Sequence, residues 1–340
     1  MKAIRIHEFG GPDVLRYEDV PNPVPRKDEV LIRIKACALN HLDLWVRQGL
    51  PGIKLPHILG SDIAGEIVEI GEYITGFKPG QRVLVAPMRF CNRCAKCMSG
   101  LQNQCREFTV LGNQVDGGNC ELIAVPAVNV IPVPDTLDFN QAASVPLVFL
   151  TAWHMLVTRA GIRPGQTVLV LGGGSGVGIA AIQIAKLFNA QVITTAGDEA
   201  KLDKASELGA DHGINHYKQK ISDEVRKMTN RTGVDLVVEH VGVATWEESM
   251  KSLKPAGTIV TCGATTGPEV KFDLRFLFAR QLSFLGSYMG TMGELHEVLS
   301  HVFSGRLKPV VDRTFPLSET RAAHEYLAAS KMFGKVVLNP

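Results

Sequence analysis

The sequence lacks an excess of charge of either sign. Its 340 residues include 36 Lys and Arg against 34 Asp and Glu, so the formal net charge is +2. Nucleic acids and anionic membrane surfaces attract proteins through excess positive charge, and none is present here. Charged residues make up 21% of the chain and hydrophobic residues 45%, which is a globular rather than a disordered composition. The composition therefore predicts no nucleic-acid partner and no membrane partner.

A long uninterrupted apolar run is also missing. The longest apolar stretch covers 142–157, and Pro146 and His154 interrupt it. A helix that spans a bilayer needs about 20 consecutive apolar residues, so this stretch is too short. The first residues, Met1 to Glu8, carry charges where a secretion signal needs an apolar run. We expect a cytoplasmic protein on these grounds.

The cysteines do not form the even, spread-out set that is typical of a disulfide framework. There are seven of them, and four follow the pattern C-x2-C-x2-C-x7-C. Four thiolates at this spacing can bind one tetrahedral Zn²⁺ ion in a closed structural site. Free buried thiols and an iron–sulfur cluster are the alternatives. The sequence thus predicts a zinc lobe at about 89–108, with the ligands Cys91, Cys94, Cys97 and Cys105.

Hydrophobic periodicity changes along the chain. Residues 1–145 contain short β-like runs such as 29–38 between Gly and Pro clusters, which indicates an antiparallel, barrel-like β domain. From 146 to 289, strands such as 191–196 alternate with helices, which predicts a parallel, doubly wound sheet. Residues 290–340 are expected to return to the first domain. The predicted fold class is α/β, with a β-barrel domain and a doubly wound domain.

A glycine-rich turn joins the first strand to the first helix of the α/β region. The sequence Val168-Leu-Val-Leu-Gly-Gly-Gly-Ser-Gly-Val-Gly178 has a strand before the turn and a helix after it. Such a turn lets backbone N–H groups approach a pyrophosphate at a helix N-terminus. The alternative is a turn that only connects strand to helix. We expect a dinucleotide at this turn, in contact with Gly173, Ser175, Gly176, Val177 and Gly178.

The end of the second strand of that region selects the dinucleotide. NAD-dependent enzymes usually place a carboxylate there, about 20 residues past the glycines, to bond the ribose 2′-hydroxyl. This strand ends with the neutral residues Thr195 and Gly197, and Asp198 follows late enough to cap the next helix instead. Lys201 and His216 add nearby basic groups that suit a 2′-phosphate. The pattern favours NADP(H), with NAD(H) as the alternative.

Together these features resemble the medium-chain dehydrogenase/reductase superfamily, which holds zinc alcohol dehydrogenases and quinone oxidoreductases. The resemblance also rests on the runs at 38–43, 59–65, 151–153 and 334–338. It implies a GroES-like catalytic domain, a Rossmann domain and a nicotinamide-dependent redox reaction. It further implies cofactor contacts for Thr151 at the nicotinamide ribose, for Val241, Gly263, Ser287 and Tyr288 along the cofactor groove, and for Lys335 at a phosphate.

The chain departs from this family at the positions of the catalytic zinc ligands. Members with a catalytic zinc carry Cys where this chain has Asn40, His-Glu where it has Ser61-Asp62, and a third ligand near Leu147. A catalytic zinc needs about three protein ligands, and only Asp62 could still bind a metal. The resemblance therefore implies one structural zinc and no catalytic zinc. The alternative is an altered metal site built from Cys37, His41, His57 or Asp62.

These missing ligands decide the expected chemistry. Without a Lewis acid, hydride transfer to an activated acceptor is easier than oxidation of a simple alcohol. We therefore expect an NADP(H)-dependent reductase of a quinone or an α,β-unsaturated carbonyl. The expected catalytic residues are Asn40, which would bond substrate or cofactor, His41, which would supply a proton if water does not, and Asp62.

The sequence leaves two alternative functions open, and it also predicts that the chain associates with copies of itself. The alternatives are an alcohol dehydrogenase with an unconventional active-site metal, and a non-catalytic protein that binds dinucleotides. The strand at 282–287 is expected at the edge of the sheet, where it can pair with its own copy. We therefore expect a homodimer or a homotetramer.

Overall fold

The structure is a computed structural model that describes residues 1–340. It contains two compact units. Unit 1 comprises Met1–Leu147, Thr291–Gly305 and Pro309–Pro340, and unit 2 comprises Val148–Gly290 and Arg306–Lys308. No helix is long and apolar enough to cross a bilayer.

The regular elements are numbered along the chain. The strands are β1 Lys2–Ile6, β2 Leu15–Asp19, β3 Glu29–Ala38, β4 His57–Ile58, β5 Asp62–Ile70, β6 Arg82–Val85, β7 Met88–Arg89, β8 Thr109–Val110, β9 Leu122–Pro126, β10 Val130–Pro132, β11 Thr167–Val170, β12 Gln191–Ala196, β13 His212–Asn215, β14 Val234–Glu239, β15 Leu253–Thr261, β16 Ser283–Gly286, β17 Val311–Pro316 and β18 Lys335–Asn339. The helices are α1 His41–Gly49, α2 Ala95–Met98, α3 Phe139–Ala143, α4 Pro146–Trp153, α5 Gly176–Leu187, α6 Glu199–Glu207, α7 Ile221–Met228, α8 Trp246–Ser252, α9 Leu274–Ala279, α10 Met292–Phe303 and α11 Thr320–Ala328.

Unit 1 is built on a mainly antiparallel sheet. Its largest sheet has the strand order β10-β6-β5-β3-β18-β17, and β9 also pairs with β3. A three-stranded sheet, β2-β1-β4, and the β7-β8 pair complete the unit. The long strand β3 is rich in β-branched residues, and Val30, Ile32 and Ile34 pack into one hydrophobic core. This core gives the polar side chains at the strand ends a fixed frame.

Three strand ends meet at one edge of this sheet. β3 ends at Ala38, and its antiparallel neighbour β5 begins opposite it at Asp62. The last strand, β18, is also antiparallel to β3 and pairs Val337 with Ala38. Because neighbouring antiparallel strands run in opposite directions, the end of β3 lies beside the beginnings of β5 and β18. Residues just outside these strand ends therefore come together, although they are far apart in the sequence.

Unit 2 is built on a parallel sheet with the strand order β13-β12-β11-β14-β15-β16. All its strand pairs are parallel. Leu169, Ile193 and Val237 from adjacent strands pack in its hydrophobic core. The strand order reverses between β11 and β14, and ligands of such doubly wound sheets bind at the carboxyl ends of the strands beside this reversal. The predicted α/β fold class, with its doubly wound sheet, is confirmed.

Candidate active site, cofactor turn and metal lobe

A buried polar cluster occupies the edge of the unit 1 sheet where the three strand ends meet. The Asn40 side chain donates from Nδ2 to Oδ2 of Asp62 over 3.0 Å. Lys335 donates from Nζ to Oδ1 of Asn40 over 2.6 Å and to Oδ2 of Asp62 over 3.0 Å. The Asp62 side chain is 0% exposed and that of Lys335 is 5% exposed. The three side chains therefore form a closed, buried network, which we call the Asp62–Lys335–Asn40 cluster.

The Asp62 carboxylate also binds the backbone of the chain. Its Oδ1 accepts the N–H of Leu147 over 2.8 Å, one residue into α4. Ser61 next to it is fully buried and donates its hydroxyl to the carbonyl oxygen of Leu111 over 2.7 Å. Zinc-dependent members carry their metal ligands at the positions of Asn40, Ser61-Asp62 and Leu147. Each of these positions makes a hydrogen bond in this chain. Asn40 and the Leu147 N–H both donate to one carboxylate.

Asp43 ties Asn40 to the loop before β5. Its Oδ2 accepts the backbone N–H of Asn40 over 2.7 Å, and its Oδ1 accepts that of Gly60 over 2.9 Å. Asn40 precedes the first residue of α1, so this bond also begins the helix. Burial raises the pKa of the Asp43 carboxyl to about 6, although the two N–H groups and the charge of Lys335 oppose the rise.

Two predicted site residues have hydrogen-bond partners within unit 1. The amide of Asn40, predicted to bond substrate or cofactor, bonds Asp62 and Lys335. The ammonium of Lys335, predicted at a phosphate, donates to Asp62 and Asn40, and both ligand contacts stay predictions. His41 begins α1, where its ring centroid is 6.5 Å from that of Trp45. Of the three predicted catalytic residues, Asn40 and Asp62 are in direct contact.

The glycine-rich turn of unit 2 is held closely against its surroundings. The hydroxyl of Ser175 caps α5 by accepting the N–H of Gly178 over 2.9 Å. A Cβ on Gly178 would lie 2.3 Å from the carbonyl oxygen of Gly172, so only glycine is tolerated there. Gly176 and Val177 are the first two residues of α5, and the N–H groups of a helix's first turn have no partner within the helix. These features fit a bound pyrophosphate.

His240, which the sequence analysis did not identify, supports the same turn. It follows β14, and its Nε2 lies 2.8 Å from the carbonyl oxygen of Leu171 and 3.4 Å from the hydroxyl of Ser175. Burial lowers the pKa of His240, so its ring is neutral and Nε2–H donates to Leu171. A polar residue at the carboxyl end of the strand beside the strand-order reversal was the signal that could have identified it.

The end of β12 carries the groups predicted to select the dinucleotide. Thr195 accepts the N–H of Gly172 at its hydroxyl over 3.0 Å, so its side chain stabilises the glycine turn. Asp198 caps α6 as predicted, accepting the N–H of Lys201 over 2.9 Å. Burial, and then the charge of Lys201, lower the pKa of His216. Two basic groups therefore lie close to each other, with His216 beside Gly197, and one oxygen of the Asp198 carboxylate caps the helix.

The other predicted cofactor residues also lie in unit 2. Thr151 is buried in α4, and Tyr288 is 52% exposed after β16. The N–H of Val241 donates to Glu239 over 2.7 Å at the end of β14. The carbonyl oxygen of Gly263 accepts the hydroxyl of Thr261 over 3.2 Å, and the N–H of Ser287 donates to the carbonyl oxygen of Thr261 over 2.8 Å. Val241, Gly263 and Ser287 thus follow the ends of adjacent parallel strands.

The four predicted metal ligands converge in one lobe of unit 1. Their sulfur atoms all lie within 4.8 Å of one another, with Cys91–Cys105 at 3.6 Å and Cys91–Cys97 at 3.9 Å. A Zn–S bond of about 2.3 Å puts the sulfurs of a tetrahedral site about 3.8 Å apart. Backbone N–H groups of Arg93 and Cys94 lower the pKa of Cys91 to about 6. The lobe therefore could hold a zinc ion, and no other group of three or more His, Cys, Asp or Glu converges in the chain.

Comparisons with known proteins agree with this architecture. The alcohol dehydrogenase GroES-like domain matches residues 26–135, and the zinc-binding dehydrogenase domain matches 176–304. The acryloyl-coenzyme A reductase of Sulfurisphaera tokodaii is 33% identical over 345 residues, which cover 100% of both chains. The quinone oxidoreductase of Rattus norvegicus is 31% identical over 348 residues, which cover 99% of this chain and 97% of the relative. A solved structure described as NAD-dependent alcohol dehydrogenase is 44% identical, has a TM-score of 0.97 and covers 100% of both chains.

These matches extend over both units. They show a GroES-like domain and a Rossmann-like domain, as the resemblance implied. The relatives are oxidoreductases of a family that depends on nicotinamide dinucleotides, so the chain is an oxidoreductase of this kind. The chain belongs to the medium-chain dehydrogenase/reductase superfamily.

Proposed function

We propose that the protein is an NADP(H)-dependent reductase of quinones or α,β-unsaturated carbonyls that works without a catalytic zinc. The observation that carries this proposal is the Asp62–Lys335–Asn40 cluster. It stands at the positions where zinc-dependent members of the family bind their catalytic metal. The activated acceptors suit such a site because their negative charge develops on an oxygen that hydrogen-bond donors can stabilise.

The donor set of this cluster does not fit a catalytic zinc. Zinc in a catalytic site binds about three protein ligands that are thiolates, imidazoles or carboxylates. Here Asp62 is the one carboxylate, Asn40 offers an amide and the Leu147 position offers only a backbone N–H. A dication would also lie close to the ammonium of Lys335, which already neutralises Asp62. Like charges at this distance repel strongly in a buried site.

The names of the relatives support the substrate class. The chain is similar over nearly its whole length to quinone oxidoreductases and to an acryloyl-coenzyme A reductase. Both names describe acceptors in which a carbonyl is conjugated with a carbon–carbon double bond. Such acceptors are small molecules, and we assign a small conjugated carbonyl or quinone to this site.

The dinucleotide is held by unit 2. Its pyrophosphate is assigned to Gly173, Ser175, Gly176, Val177 and Gly178, and its nicotinamide side to Thr151, Val241, Gly263, Ser287 and Tyr288. Lys201 and His216 favour a 2′-phosphate and hence NADP(H), because basic groups attract a phosphate and the strand itself ends in neutral residues. When bound, the reduced nicotinamide supplies a hydride to the acceptor. In unit 1, Asp62 and Asn40 orient Lys335, and His41 or water returns a proton to the reduced product.

We assign one structural zinc ion to Cys91, Cys94, Cys97 and Cys105. The spacing of the sulfurs supports this assignment, because it matches a tetrahedral zinc site. The ion would hold the lobe together and take no part in hydride transfer, since all four of its positions are filled by protein ligands.

An acceptor panel with metal analysis tests the proposed function. We expect NADPH to reduce quinones and enones, with a lower KM than NADH, and we expect one zinc per chain. Oxidation of simple alcohols together with two metal ions per chain would overturn the proposal. That outcome would favour the second candidate, an alcohol dehydrogenase with an altered active-site metal, which the similarity to the NAD-dependent alcohol dehydrogenase structure supports.

A further inference from the structure

A fully buried carboxylate stands at the carboxyl end of β14 in unit 2. Glu239 is 0% exposed, and it accepts five hydrogen bonds within the chain. The backbone N–H groups of Val241 and Gly242 donate to it over 2.7 and 3.0 Å. The hydroxyls of Thr245, which precedes α8, and of Ser249, within α8, donate over 2.7 to 3.1 Å. None of these donors belongs to Lys or Arg, so backbone and hydroxyl groups alone stabilise the carboxylate.

A buried carboxylate is not needed to begin α8. An exposed side chain can cap a helix, as Asp198 caps α6. Moving a carboxylate out of water costs free energy that its hydrogen bonds must offset. The donors to Glu239 lie in the loop after β14 and in the helix that follows it. The conformation of this loop, at 240–245, is therefore what the carboxylate fixes.

The loop after β14 is joined to the loop after β15. Thr266 donates its N–H and its hydroxyl to the carbonyl oxygen of Val241, over 2.7 and 2.8 Å. The same hydroxyl accepts the N–H of Ala244 over 3.1 Å. Gly242 has a φ of 96°, and a Cβ there would lie 2.6 Å from the carbonyl oxygen of Gly267. The two loops thus hold each other in one close arrangement.

His240 joins these two loops to the glycine-rich turn. Its ring donates to the carbonyl oxygen of Leu171, and a Cβ on Gly172 would lie 3.2 Å from its Cε1. The turn follows β11, and β11, β14 and β15 are neighbours in the sheet. Their carboxyl ends are where a doubly wound sheet binds its ligand. Three loops at this edge are therefore connected around Glu239 and His240.

We propose that Glu239 is a positioning residue for the dinucleotide, because it holds the loops after β14 and β15 in the conformation that receives the nicotinamide half. This inference rests on the proposed function, which assigns the nicotinamide side to Val241 and Gly263 in these loops. Since Glu239 is fully buried, it acts on the dinucleotide only through the backbone that it holds. Loops that are ordered before binding lose less conformational freedom when the ligand binds, so the network increases affinity.

Glu239→Gln tests this role in the full-length protein. Glutamine keeps the size of the side chain but replaces one acceptor oxygen with an NH₂ group, which cannot accept the hydrogen bonds of the loop. We expect the Kd values for NADPH and NADH to rise about 10-fold, as for the loss of one hydrogen bond. Isothermal titration calorimetry measures both. Unchanged Kd values in folded Glu239→Gln protein would overturn the proposal.

The adenine half of the dinucleotide provides a readout that general loosening of unit 2 would also move. Adenosine 2′,5′-bisphosphate and AMP contain this half alone. It is assigned to Lys201 and His216, which follow β12 and β13 rather than β14 and β15. Their Kd values should therefore stay those of the wild type in Glu239→Gln. Equal increases for the fragments and the whole dinucleotides would overturn the positioning role.

A second variant covers the case in which Glu239→Gln fails to fold. Thr266→Val changes an exposed residue, leaves Glu239 in place and removes the hydroxyl that bonds Val241 and Ala244. We expect the same selective increase of the dinucleotide Kd with a nearly unchanged Tm. Ser249→Ala is the matched control, because it removes a hydrogen bond of Glu239 on the side of α8. It should lower Tm and leave the Kd values unchanged.

The opposite result would contradict the proposal. If Ser249→Ala raised the dinucleotide Kd and Thr266→Val did not, Glu239 would act on α8 and not on the loops. All these measurements are made without an acceptor, so they do not depend on the reductase assignment. A wild-type protein that bound NADPH and NADH but reduced no quinone or enone would contradict the proposed function, whereas the Kd values would still decide the role of Glu239.

Discussion

A buried arginine in unit 1 is held by neutral hydrogen-bond acceptors. Arg47 in α1 is 3% exposed, and its guanidinium lies 3.2 Å from Nδ1 of the fully buried His324 in α11. Its Nε donates to the carbonyl oxygen of Gly10 over 3.2 Å. Because Nδ1 must accept from Arg47, His324 is neutral. Burial, and then the charge of Arg47, lower the pKa of His324 to about 3.

This contact makes stability depend on acidity. The pKa of an unfolded histidine is about 6.5, so between pH 6.5 and 3 the unfolded chain binds a proton at His324 that the folded chain does not bind. Stability is therefore complete above pH 6.5 and falls as the pH decreases, by about 1.4 kcal/mol at pH 5.5. His324→Gln keeps an acceptor for Arg47 and removes the titration. We expect the Tm of this variant to decrease less than that of the wild type when the pH is lowered from 7.5 to 5.5.

The matched control is His212→Gln, because His212 is exposed on β13. Its replacement removes a histidine from the surface of unit 2 and leaves the contact of His324 with Arg47 intact, so the pH dependence of Tm should stay that of the wild type. Identical acid sensitivity of the wild type and His324→Gln would refute the assignment of a neutral, buried His324.

A single side chain, that of Lys201, is predicted to select the dinucleotide. Lys201→Ala should raise the KM for NADPH about 10- to 100-fold, which corresponds to the loss of one charge-assisted hydrogen bond to the 2′-phosphate. The KM for NADH should not change, because that dinucleotide has no 2′-phosphate. Lys204→Ala, at an exposed lysine of the same helix, is the control. Equal changes of KM for both dinucleotides would exclude a specific 2′-phosphate contact of Lys201.

The zinc lobe, at about 89–108, has no hydrophobic core of its own. It contains the single-turn helix α2, and its apolar residues Met98 and Leu101 are 75% and 37% exposed. A segment with so little buried apolar area depends on its metal for order. Cys97→Ser should lose the zinc and lower Tm by roughly 4–8 °C, as a loss of about 2 kcal/mol does in a chain of this size class. Trypsin should then cleave the lobe at Lys96 and Arg106.

Cys262→Ser serves as the control for this experiment, because Cys262 is a free thiol in unit 2, outside the lobe. Metal content is measured by mass spectrometry on the purified protein. Cys97→Ser protein that keeps one zinc per chain and resists trypsin would show that the lobe is ordered without its four thiolates.

Elements could be predicted from the sequence where their pattern was distinct. The strands β3 and β12 have the predicted bounds, because each is a β-branched run between polar or turn-forming residues. Five helices were not predicted: α1, α2, α3, α4 and α9. Three of them, α2, α3 and α9, have only four to six residues. α1 is only nine residues long, and two of its buried residues, Asp43 and Arg47, are charged, so an apolar pattern does not mark its buried face. α4 is almost uniformly apolar, so no polar face marks its period.

At the scale of the whole molecule, the candidate site could be predicted only in part. Asn40 and Asp62 were identified because they stand at positions where a family pattern is broken. The contacts of Lys335 with Asn40 and Asp62 were not predicted, because they depend on β18 pairing with β3. Asn40 and Lys335 are 295 positions apart, and no local pattern predicts which distant strands are neighbours in a sheet. The cluster is a property of the topology of unit 1.

One edge of the unit 2 sheet is suited to association with a second copy of the chain. β16 is the last strand of the sheet and pairs only with β15. Apolar side chains near it are exposed, with Leu274 64% and Phe278 68% exposed in α9, and Phe272 packs its ring on Phe284 of β16. A strand with one unpaired edge beside exposed apolar side chains is suited to pairing with a second copy of itself across a two-fold axis. We propose that β16 and α9 form a homodimer contact.

Phe278→Asp should convert this dimer to a monomer. The side chain is mostly exposed in one chain, so the substitution should leave the fold and Tm of the single chain nearly unchanged, while it puts a charge into the dimer contact and its symmetry copy. Light scattering after gel filtration measures the mass, with Val24→Asp as the control at an 84% exposed apolar residue of unit 1. A Phe278→Asp protein with the wild-type mass would show that the chains associate elsewhere. If it became monomeric and kept full reductase activity, each chain would hold a complete active site.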